Sequence, residues 1–61
     1  MKSNIQSALE IIANMQTVFG LERYEGRLDN LYNLGLLTPR ELMRADAARI
    51  DRIIELENKA A

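Results

Sequence analysis

The 61-residue chain contains no cysteine and no histidine. Disulfide staples are thereby excluded, and zinc or transition-metal sites lose the residue types that usually ligate them. Carboxylates alone suit hard cations, and no Asp-rich loop of calcium-binding spacing occurs in the sequence. Aromatic residues make up only 5% of the chain, so a core has to be filled by Leu, Ile, Met and Ala, an inventory that favours interdigitated helices. Neither sign of charge prevails. Eight basic residues against nine acidic ones give a formal charge of −1, and no global field draws the chain to nucleic acid or anionic lipid. The N-terminal apolar stretch is interrupted by Gln6, Ser7, Glu10 and Asn14, which suits neither a signal peptide nor a membrane span and points to a cytoplasmic address.

What is present is hydrophobic enough, at 48%, for one small domain spanning residues 1–61. A globule of this length leaves much of its apolar surface in water. With disulfides and metals set aside, the staple that remains is association with another chain.

Helical periodicity runs through three stretches. Ile5, Ala8, Leu9, Ile12, Met15 and Phe19 recur three and four residues apart, with Ile11 and Val18 beside them and Ser3 or Asn4 as a cap. Leu21, Tyr24, Leu28, Leu31 and Tyr32 repeat the pattern up to Gly35. Thr38-Pro39-Arg40-Glu41 then opens a third helix, with Thr as cap, Pro in the first helical position and Glu reaching back to the capping amide. That helix continues through Leu42, Met43, Ala47, Ile50, Ile53 and Ile54. Between the second and third stretches, Gly35 suits the left-handed closing position of a helix and Leu37 suits a hydrophobic staple. So short a turn forces the two helices side by side.

The join near Gly20 admits two structures. At about 100° per residue the apolar stripe of residues 5–19 lies roughly opposite that of residues 21–32. Either the chain turns at Gly20 and three helices share a core, or one long helix continues and its N-terminal half needs a second chain. Gly26 reads as a tolerated surface glycine, or as a point of close backbone approach on that overhanging side.

Residues Leu28 to Leu42, with spaced leucines, Gly35, two aliphatics, the capping Thr38 and Glu41, resemble the short C-terminal (SHOCT) domain, a small helical hairpin found at the ends of many bacterial proteins. The last helix departs from that pattern by lacking its aromatic-then-lysine continuation. The resemblance implies an oligomerising or partner-binding module. In size, absence of cysteine and helical build the whole chain also looks like the small early accessory proteins of lambdoid phages, which implies work in the host cytoplasm by engaging other proteins.

Three sets of residues are candidates for function. Up to residue 21 the only charged side chains are Lys2 and Glu10, less charge than a lone surface helix carries. The apolar face of Ile5, Leu9, Ile12, Met15 and Phe19 is therefore the expected partner or dimer interface, the alternative being an ordinary core helix with an uncharged outer face. Asp46, between Leu42 and Ile50, either sits at the stripe's edge and reaches water or, if buried, needs a partner that Arg49 one turn on or an arginine of the facing helix can supply as a register-fixing polar contact. Arg40 and Arg44 open a helix that also carries Arg49 and Arg52, the basis for an alternative as a nucleic-acid-binding regulator, although Glu41, Asp46, Asp51 and Glu55 on the same helix would meet phosphates unfavourably. Catalysis has no carriers. No glycine-rich phosphate loop appears, Ser3 and Ser7 lie near the N-terminus, and a hairpin of this size has little room for a concave pocket.

The sequence thus predicts an all-α fold. A hairpin of about residues 21–34 and 38–60, with Leu28, Leu31, Leu42, Ile50 and Ile53 at its core, follows an apolar-faced helix of about 4–19, and a homodimer completes it. The expected function is a non-enzymatic, self-associating regulator, inhibitor or adaptor with a protein partner. It calls for no cofactor, metal, membrane or small-molecule substrate.

Overall fold

A computed structural model describes residues 1–60. The fold is all-α, with helices α1 (Asn4–Asn14), α2 (Val18–Asn33) and α3 (Pro39–Ala60). At about 1.5 Å per residue α3 alone runs to about 33 Å, which accounts for the long axis of a molecule measuring 38 × 22 × 16 Å. Helix α3 is the spine. Both α1 and α2 pack on it and scarcely touch each other.

Each helix starts on a capping side chain that satisfies amides the helix cannot. The Ser3 hydroxyl accepts from the Gln6 amide while the Gln6 side chain accepts from the Ser3 amide. Thr17 accepts from the Gly20 amide at 3.1 Å. Thr38 and Glu41 form the reciprocal pair predicted from sequence, at 3.1 and 2.9 Å. The end of α2 also follows expectation. Gly35 adopts φ 76°, its amide donates to the Tyr32 carbonyl and the Leu36 amide to the Leu31 carbonyl, which is the paired geometry of a Schellman turn. Leu37 is buried beside it.

The first join differs from expectation. The chain leaves α1 after Asn14, passes through extended Met15 and enters α2 at Val18, so Val18, Phe19 and Gly20 belong to the second helix rather than the first. The turn lies ahead of Gly20, because Thr17 supplies the cap that restarts the helix. Gly20 serves that cap: a Cβ there would lie 2.9 Å from the Thr17 hydroxyl oxygen. The opposite phases of the two apolar stripes are resolved by this break, which lets both stripes face α3.

Two polar contacts fix how α1 lies. Asn4 Nδ2 donates to the Leu36 carbonyl at 3.3 Å, and Arg52 Nε donates to the Met15 carbonyl at 3.1 Å. Helix α1 therefore runs alongside α3 in the same direction, and α2 runs against it. The core between them holds Ile5, Ala8, Ile12, Leu21, Leu28, Leu37 and Ala45. Ala8 and Ala45, 1% and 0% exposed, have no bulk to hold the helices apart. Leu31, Leu42 and Ile53 pack at the margin of this core. Ile50, expected among them, is instead 45% exposed. It sits on the face of α3 turned away from Ala45 and Arg49, so helical phase overrides its hydrophobicity.

Candidate interaction surface

The five residues expected to form the association face fall on two different sides of the fold. Ile5 and Ile12 are buried in the chain's own core, and Leu9 and Met15 pack against it. The break at residues 15–17 turns this face inward onto α3, so these four side chains are occupied within the chain. Phe19 stays outside at 69% exposure, on α2, where the Arg23 guanidinium lies 5.6 Å from its ring centroid, within cation–π range.

Asp46 and Arg49 do meet. Arg49 donates to Asp46 Oδ1 from Nε at 3.0 Å and from Nη2 at 2.8 Å, and the same Nη2 reaches Glu25 of α2 at 3.1 Å. Its Nη1 lies 3.5 Å from the Leu21 carbonyl. The buried member of the pair is the arginine: its side chain is 7% exposed, while those of Asp46 and Glu25 are 41% and 60% exposed. Water reaches both carboxylates, so the contact is a tie between α3 and α2 within one chain, with a buried guanidinium neutralised from two sides.

Arg52 pairs with Glu55 on its own helix and also holds the α1–α2 join through the Met15 carbonyl. No sequence signal marks this contact, since its acceptor is backbone. Arg40 and Arg44 are exposed, and among the described residues neither forms an ion pair within the chain. The groove between α2 and α3 near them is acidic, lined by Glu25, Asp29 and Asp46 with Leu28, Leu42 and Met43.

An apolar row on α3 is left uncovered. Met43 (73%), Ile50 (45%) and Ile54 (50%) are exposed, and Ala47, also exposed, completes the row. Intervals of four, three and four residues set these side chains in one line on the helix. At about 100° per residue the line points away from Ala45, Arg49 and Leu56, which face the other two helices. Charged residues border it, with Arg40, Arg44 and Asp51 on one flank and Asp46 and Glu57 on the other. The apolar positions Leu42, Met43, Ala47, Ile50, Ile53 and Ile54 thus divide by helical phase into an inner and an outer face.

No described helix is long and apolar enough to cross a membrane. Comparison with protein-family models, with curated proteins and with solved structures yields no match.

Proposed function

We propose that this chain is a protein–protein interaction module without catalytic activity, a self-associating regulator, inhibitor or adaptor of the cytoplasm. The observation that carries the reading is the continuous apolar row Met43, Ala47, Ile50 and Ile54 on the outward face of α3. Isolated exposed aliphatics are ordinary, whereas a contiguous exposed row is the usual mark of an interface. The accessible surface of 4450 Å² also exceeds the roughly 4,000 Å² of a compact monomer of this size. The SHOCT-like hairpin pattern of residues 28–42 points the same way, because it implies an oligomerising or partner-binding role.

The nucleic-acid alternative rests on Arg40 and Arg44. It is less well supported, because a phosphate backbone approaching them also meets Asp51 on the same flank and the acidic groove beside Met43. Sedimentation equilibrium of the purified chain over a thousandfold range of concentration tests the main reading. Reversible association is the expected result. A monomer at every concentration up to the millimolar range would refute it, and salt-sensitive duplex binding lost in Arg40→Ala/Arg44→Ala would establish the alternative.

A further inference from the structure

We infer that the outward face of α3 pairs with the same face of a second copy, and that the two helices run antiparallel. The inference rests on the proposed function and deepens it by naming the surface, the occupant and the direction. The row Met43, Ala47, Ile50 and Ile54 has the alternating four-three spacing with which one helix meets another along a seam. Placing a second α3 antiparallel, with a twofold axis level with Ala48 and Arg49, sets Met43 opposite Ile54 of the second copy and Ala47 opposite its Ile50. Small meets large at the centre, so the backbones approach without a void. A twofold arrangement is the commonest closed assembly and makes each contact twice.

Charge selects the direction. One layer beyond Met43 the same register sets Arg40 opposite Glu57 of the second copy, and along the flank Arg44 comes within about two residues of the level of its Asp51. All four are exposed, and among the described residues none forms an ion pair within its own chain. A parallel pairing would stack Arg40 on Arg40 and Glu57 on Glu57, and would bring Asp46 towards Asp51. Opposite charges meet in the antiparallel arrangement and like charges in the parallel one. The seam from Arg40 to Glu57 is about 26 Å long, and it leaves the faces of α3 that hold α1 and α2 undisturbed.

Sedimentation equilibrium of the full chain and three sets of variants tests this. Ile50→Glu is expected to abolish association while circular dichroism shows an unchanged helical fold. Arg40→Glu alone and Glu57→Arg alone are each expected to weaken association about tenfold, and the two together in one chain to restore it to within about twofold. Both reversals place acid at the start of α3 and base near its end, which favours the helix dipole, so lost association would not reflect lost helix. A dimer indifferent to Ile50→Glu would overturn the α3 surface and leave self-association standing. If Ile50→Glu abolishes association but the charge reversals fail to compensate, the antiparallel direction is overturned. A wild-type monomer throughout removes the proposed function itself.

Discussion

Gly26 and Gly35 respond in opposite senses to one added methyl group. Nothing lies within 4 Å of a Cβ built at Gly26, so the close approach considered from sequence does not occur within the chain and the residue only loosens α2. Gly26→Ala is expected to raise unfolding free energy by about 0.5–1 kcal/mol in urea titration. Gly35→Ala has equal space, but its backbone is left-handed at φ 76°, and the substitution should cost about 1–2 kcal/mol. Tyr24 sets an alkaline limit. Burial pushes its phenol above the ordinary value, with the Arg27 guanidinium pulling partly back. As pH rises the unfolded chain loses this proton first, so the contribution is intact below about pH 10 and lost as pH climbs through the raised folded value. Tyr24→Phe should flatten that decline in melting temperature above the ordinary phenol value of about 10.

At the scale of elements, the two joins differ in what holds them. The α2–α3 turn is held by its own residues, from the left-handed Gly35 to the Thr38–Glu41 reciprocal cap, and for that reason it was legible in the sequence almost to the residue. The α1–α2 join is held from a distance by Arg52, whose side chain is 13% exposed and whose acceptor is a backbone carbonyl. Arg52→Ala is expected to cost about 1.5 kcal/mol or more, the scale of a hydrogen bond to a charged group, and to speed amide exchange around Met15 to Leu21 while the α2–α3 turn keeps its protection. From the phase of its apolar stripes the sequence admits a turn at Gly20 or a continuous helix, whereas the break falls earlier and Thr17 starts α2. The contacts of Arg49 with Glu25 and with the Leu21 carbonyl were equally hidden, since they depend on which faces of α2 and α3 meet.

For the whole molecule, the proposed seam ties stability to concentration. A partner that binds only the folded chain stabilises it by mass action, and in a domain of this size each kcal/mol moves the melting temperature by about 4–8 °C. Wild-type melting should therefore rise by several degrees between dilute and concentrated samples, and Ile50→Glu should melt at one temperature throughout. The all-α class and the hairpin were legible because caps and period agree locally. The inward turn of the α1 stripe onto α3 was not, because helical phase alone does not say whether an apolar stripe meets its own chain or another. The lie of α1 along α3, nearly clear of α2, also orders events in time. The hairpin closes through contacts near in sequence, whereas α1 has nothing to rest on until the distant α3 has formed, so α1 is expected to dock last. Truncating Ile12 to Val should then quicken unfolding and leave the folding rate nearly unchanged, whereas Thr38→Ala should slow folding. Stopped-flow measurements on the two variants would show whether α1 joins the fold after its transition state.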